Sequence, residues 1–200
     1  MIYTKNSPVF KSVKDTREKI LETTFMLLIK NGYEGVSVSD IQKELGISRG
    51  LLYCYFKNKS DLIIASCKQY FFDGYLNDIN LENISLKDFI VHILKVVDSL
   101  AHCGKNKIDI LKYNTLYSAV IMREPRFKKY ALSEFAKAII VISNAKKRGE
   151  IKDEISDDFI GATILSILGR TTYITETPTD NYVRKRIAED LDNFYNLIKK

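Results

Sequence analysis

Proline and glycine are scarce, 3 and 9 in 200 residues, so the chain has few built-in breaks and long helices are favoured. The 3 cysteines, Cys54, Cys67 and Cys103, are odd in number and lack CxxC spacing. That argues against a disulfide framework and predicts reduced, partly buried thiols. Only 2 histidines occur, His92 and His102. Ten residues apart on one helix they stand about 15 Å from each other, too far to share a metal within one chain. The sequence has no glycine-rich phosphate loop, no GxSxG and no HExxH, so no catalytic constellation is predicted, and no cofactor. No apolar run has the length of a membrane span, and the opening "MIYTKNSPVFKSVK" lacks the apolar core of a signal peptide. These absences predict a soluble, cytoplasmic protein that is not an enzyme and has no membrane partner.

Hydrophobic residues make up 46% and charged residues 28%, a globular balance, with a formal net charge of +6. The charge is uneven. Residues 1–68 carry 11 Lys/Arg against 7 Asp/Glu, or +4, and the remaining 132 carry 20 against 18, or +2. A basic front and a near-neutral body fit a polyanion-binding module followed by a separate domain, and fit a solvated basic surface as well. There are no internal repeats and no low-complexity linker.

Periodicity and capping residues divide the chain into about nine helices and no strand. Ile20, Thr24, Leu27 and Leu28 recur at helical spacing before a stop at Asn31-Gly32. Ser37 with Asp40 three residues on forms a capping box for a short helix that turns Ile41 and Leu45 inward and ends at Gly46. Ser48 caps a second short helix over 49–56 with Leu52 and Phe56 on its buried side, and Asn58 caps a long helix with Asp61 at its third position. Ser85 and Asp88 repeat the box before "LKDFIVHILKVVDSLAH". Further helices are predicted over 107–122, from Pro125 to Gly149, over 157–176 behind Asp157 and Asp158, and over 180–199.

Two short helices joined by a glycine-containing turn, behind a longer first helix, read as a helix-turn-helix. In that geometry the second helix enters the DNA major groove. With Leu52 and Phe56 inward, Arg49, Gly50, Leu51, Tyr53, Cys54 and Tyr55 fall nearer the outer surface. Lys59 lies in the first turn of the next helix, where the dipole disfavours a cation by about 0.3–1 kcal/mol unless an anion lies across the helix start. Ser37 and Ser39 stand at another helix start, suited to phosphate.

The stretch "TREKILETTFMLLIKNGYEGVSVSDIQKELGISRGLLYCYFKNKSDLI", 16–63, resembles the N-terminal DNA-binding domain of the TetR (tetracycline-repressor) family. The shared features are the Asn-Gly-Tyr turn at 31–33, the serines at 37 and 39, Ile41, the Gly46-Ile47-Ser48 turn, Gly50, Leu52, Tyr53, Tyr55-Phe56, Lys59 and Leu62. The resemblance implies an all-α fold with an N-terminal three-helix DNA-binding domain followed by a larger helical domain for ligand binding and dimerisation. By position it places Arg49, Gly50 and Leu51 at base edges, and Ser37, Ser39, Ser48, Tyr53, Tyr55 and Lys59 on the DNA backbone. Leu51 stands where the family usually has threonine and can meet a thymine methyl without hydrogen bonding. Cys54 stands where histidine is frequent, and Gln42 and Leu45 replace smaller residues on the first short helix.

The expected organisation is a flexible basic arm over 1–14, the DNA-binding domain over 15–62 with a long fourth helix from about 59, and an effector-binding and dimerisation domain over 63–200. Phe89, His92, Ile93, Tyr113, Asn114 and Tyr117 mix aromatic surface with polar handles and are the candidate pocket for a small, mostly apolar effector. Gly161, Ile164, Leu165 and Leu168, with Ile187, Leu191 and Phe194, are the candidate homodimer seam. The function expected is a dimeric repressor released from a palindromic double-stranded DNA operator by a small molecule. The alternative is a helical sensor or adaptor using a metal or thiol signal at His102 and Cys103 rather than an organic ligand.

Overall fold

Capping chemistry decides where most of the helices begin and end. This computed structural model describes residues 8–73, 76, 79–100, 108–169 and 180–200. Among them the chain forms nine helices: α1 (Pro8–Asn31), α2 (Val38–Leu45), α3 (Arg49–Tyr55), α4 (Lys59–Phe71), α5 (Leu86–Leu100), α6 (Ile110–Arg123), α7 (Pro125–Lys147), α8 (Asp157–Gly169) and α9 (Asp180–Ile198). One isolated antiparallel bridge joins Ile151 and Lys199. The all-helical architecture expected from the sequence is the one observed. No helix among the described residues is long and apolar enough to cross a membrane.

Helix α1 begins at Pro8. Proline has no amide hydrogen to donate and its φ is preset, so the first helical position accepts it without loss. His102 and Cys103, the proposed sensor pair, and the 170–176 tail predicted for α8 lie outside the described residues.

The chain forms two compact units. The first comprises Met1–Asp73 and Thr115–Lys128, more than the 15–62 segment marked in the sequence. Its core is α1 against α4: Ile20, Leu21, Phe25 and Leu28 are buried, as are Leu62, Ile63 and Cys67. Ser66 Oγ donates to the Leu21 carbonyl at 2.6 Å across this seam. An aromatic cluster explains why Thr115–Lys128 belongs here. Phe71 meets Tyr117 and Phe127 edge-on, with ring centroids 5.1 and 5.9 Å away, and Phe72 lies 5.6 Å from Phe127.

The second unit, Gly74–Asn114 with Lys129–Lys200, is built on an aliphatic core. Leu86, Phe89 and Ile90 of α5, Val141, Ile142 and Ala145 of α7, Ile160, Ile164 and Ile167 of α8, and Val183, Ile187, Leu191 and Ile198 of α9 form one cluster. Glu150 ties its ends together by accepting from the free amides of Leu86 and Lys87 at the start of α5, at 3.0 and 3.1 Å, and from Tyr195 Oη at 3.2 Å. The Ser85–Asp88 box forms as predicted, with Asp88 N–H donating to Ser85 Oγ at 2.9 Å.

Candidate nucleic-acid interface

The short helices are fixed by local chemistry before any long-range packing. The turn after α1 is tight enough that a Cβ on Gly35 would stand 2.2 Å from the Asn31 carbonyl oxygen, so only glycine fits. Ser37 then caps α2: its hydroxyl accepts from Asp40 N–H at 3.2 Å and donates to Asp40 Oδ2 at 2.6 Å, while Asp40 accepts from Ser37 N–H at 2.7 Å. The hydrogen bonds from Ser37 hold the Asp40 carboxyl below the usual range, so the box stays charged at neutral pH. Gly46 ends α2 in the left-handed conformation with φ 64°, and this corner aims α3. Ser48 caps α3 by accepting from Leu51 N–H at 3.2 Å.

Helix α3 has two faces. Leu52 is buried, as is Phe56 at its C-terminal cap. The other side carries Ser48, Arg49, Gly50 and Cys54, all exposed, and Leu51 and Tyr53, each 38% exposed. Tyr55 is half-buried, with its ring 6.5 Å from that of Phe56. The Arg49 guanidinium lies 5.6 Å from the Tyr53 ring centroid, one helical turn on, which holds the cation close to the helix surface. A Cβ built on Gly50 meets nothing nearer than Ser48 Oγ at 4.0 Å. The protein itself does not need a glycine there, although a helix interior loses about 0.5–1 kcal/mol to it relative to alanine.

Lys59 is placed by Tyr33, which the sequence marks only as part of a turn, and by Glu124, which it does not mark at all. The Lys59 ammonium lies 5.8 Å from the Tyr33 ring centroid, and the Arg123 guanidinium lies 5.6 Å from the same ring. Tyr33 Oη donates to Glu124 Oε1 at 2.7 Å, and Ser60 Oγ donates to Glu124 Oε2 at 2.6 Å. Glu124 is only 6% exposed. Burial, then its bond to Glu124, pushes the Tyr33 hydroxyl up to about 12, so Tyr33 is the donor and the carboxylate the acceptor. Arg123 also pairs with Glu34, and Arg126 with Asp61 at 2.6 Å. The unfavourable dipole at Lys59 is therefore offset partly within the protein, by the face of an aromatic ring. The Asn-Gly-Tyr motif pointed to Tyr33, but nothing local marked Glu124, which sits 91 residues away.

Elsewhere the candidates are dispersed. Phe89 and Tyr113 are buried, and His92, Ile93 and Asn114 half-buried, in the second unit, where Asn114 Nδ2 donates to the Leu168 carbonyl at 3.2 Å. Tyr117 belongs to the first unit and its aromatic cluster. Of the seam candidates, Ile164, Ile187 and Leu191 are buried in the unit's own core, with Leu168 and Phe194 packed against it. Gly161 faces α7, where a Cβ would stand 2.9 Å from Phe135 Cζ and 3.0 Å from Ile139 Cδ1. Leu165, at 48%, is the exposed member, about one and two-thirds turns from Phe159 at 60%.

Residues 20–65 match the sequence profile described as bacterial regulatory proteins, tetR family. Two HTH-type transcriptional regulators of Staphylococcus aureus are 34% and 46% identical over 112 residues. Each alignment covers 49% of this chain and 60% of the relative, so the chain spans less than two thirds of the relatives it matches. A TetR-family transcriptional regulator from Agrobacterium tumefaciens has the same fold, with TM-score 0.67 over 94% of this chain and 99% of that one at 16% identity.

Proposed function

We propose that the chain is a member of the tetR family of bacterial regulatory proteins, whose profile residues 20–65 match, and that it binds operator DNA with α3 in the major groove and regulates transcription there. The observation that carries this reading is the two-faced α3: a helix pinned by Leu52 and Phe56 presents Arg49, Gly50, Leu51 and Tyr53 outward. Arg49, Gly50 and Leu51 read base edges, Arg49 by pairing with guanine and Leu51 by contact with a thymine methyl. Ser39, Ser48, Tyr53, Tyr55 and Lys59 hold the DNA backbone. Ser37 joins them through whatever hydrogen-bonding capacity its capping box leaves.

The protein acts as a homodimer, because one short helix covers too few base pairs for specific binding, and two copies read a palindrome. The exposed apolar side chains that support pairing on these two helices are Phe159 and Leu165 of α8 and Leu197 of α9. A small-molecule effector held by the second unit, near His92, Ile93 and Asn114, releases the repressor. Chemical identification of any molecule that co-purifies with the protein tests that part directly.

The DNA-reading claim is tested with Arg49→Ala on a duplex selected for tight binding and on a mixed-sequence duplex. A loss of about 1–3 kcal/mol on the selected duplex alone, with relaxed preference at one base, is expected. Equal weakening on both makes Arg49 a backbone contact.

A further inference from the structure

A buried carboxylate sits at the α6–α7 joint of the first unit, and each of its oxygens is already engaged. Glu124 Oε1 accepts from Tyr33 Oη at 2.7 Å and Oε2 from Ser60 Oγ at 2.6 Å. Both donors flank Lys59. Tyr33 supplies the ring on which the ammonium rests, 5.8 Å from its centroid, and Ser60 is the next residue in the first turn of α4. Arg126 reinforces the same turn, donating to Ser60 Oγ at 3.1 Å and pairing with Asp61 at 2.6 Å. A lysine side chain on a surface helix start otherwise samples many rotamers, and fixing it on binding costs part of the gain from the contact.

We infer that Glu124 and Tyr33 are positioning residues for DNA binding: the carboxylate fixes the phenol ring, and the ring pre-places the Lys59 ammonium for a DNA phosphate. The inference rests on the reading that Lys59 contacts the backbone. Neither Glu124 nor Tyr33 needs to touch DNA. The carboxylate binds hydroxyls rather than the lysine itself, so the ammonium keeps its charge available to an incoming anion. An ion pair in place of the ring would have to be broken first. The aromatic face is the weaker partner, and phosphate displaces it readily.

The experiment is a double-mutant cycle on the full chain, read by affinity for a mixed-sequence DNA duplex at several salt concentrations. Thermal unfolding of each variant is recorded in parallel. Lys59→Ala should flatten the salt slope by about 0.9 per lost contact, equivalent to about threefold less salt sensitivity between 50 and 200 mM. Tyr33→Phe keeps the ring and removes only the bond to Glu124, and Glu124→Gln keeps the side-chain volume and removes the charge. Each should weaken binding by a smaller factor than Lys59→Ala in the wild-type background. Each should have no further effect on affinity or slope once Lys59 is alanine. A merely structural role lowers the melting temperature and leaves the affinity of the folded protein unchanged, which overturns the inference. So does equal weakening by Tyr33→Phe with and without Lys59. Binding by Lys59→Ala that equals wild type refutes the backbone reading of Lys59 as well, so the two failures are told apart.

Discussion

The long helices of the second unit and the short α3 of the first place their apolar side chains differently. In the second unit the helical stripes of α8 and α9 close on themselves: Ile164, Val183, Ile187, Leu191 and Ile198 all enter one aliphatic core. In the first unit α3 buries Leu52, Phe56 follows at its cap, and Leu51 and Tyr53 stay exposed beside Arg49. Both units also leave apolar side chains outside their stripes, Leu51 and Tyr53 on α3 and Phe159, Leu165 and Leu197 on α8 and α9. The capping residues differ in spacing. Ser37, Ser48 and Asn58 set three helix starts within 22 residues of each other. That is a dense use of local chemistry to aim one short helix, whereas the caps of the second unit, Ser85, Asp109 and Ser156, are spread along the chain.

The largest expected effect separates core from surface in the second unit. Leu191→Ala should destabilise that unit by about 2–5 kcal/mol in denaturant unfolding, because the side chain is fully buried. Leu165→Glu should leave unfolding nearly unchanged and shift sedimentation from dimer towards monomer. A stable Leu191→Ala protein that falls apart into monomers would put the seam back on the α9 stripe and undo the contrast.

Two glycines sharpen it further. Gly161 is where α8 approaches α7, so Gly161→Ala should cost about 1–3 kcal/mol by forcing Phe135 and Ile139 apart. Gly50 has open space around it, so Gly50→Ala should stabilise the free protein by about 0.5–1 kcal/mol and still weaken DNA binding. A stabilised Gly50→Ala protein with undiminished affinity would show that no partner approaches α3 at that point.

Much of the first unit was legible in the sequence because its signals are local. Ser37 with Asp40, Gly46, Ser48 and Asn58 each act within three or four residues, and each cap forms as the spacing predicted. The α9 stripe was legible for the same reason, since 3.6-residue periodicity needs no knowledge of the partner. What faced the stripe was not. Periodicity cannot tell a seam between copies from a core within one chain; the seam candidates Ile164, Ile187 and Leu191 are buried in the unit's own core. Tyr117 was grouped with Phe89 by composition, yet ring packing with Phe71 and Phe127 assigns it to the first unit. Glu124 carried no local mark at all. A glutamate before a proline is ordinary until Tyr33 and Ser60, 91 and 64 residues away, arrive around it.

The measurement closest to the central claim is selection from a pool of randomised DNA duplexes by the wild-type chain. The account predicts enrichment of one two-fold symmetric site, its half-sites separated by about one helical turn or a multiple of it. Within each half-site, one guanine contact should be lost with Arg49→Ala. A pool that returns no enriched sequence, bound as well by Arg49→Ala as by wild type, would contradict it.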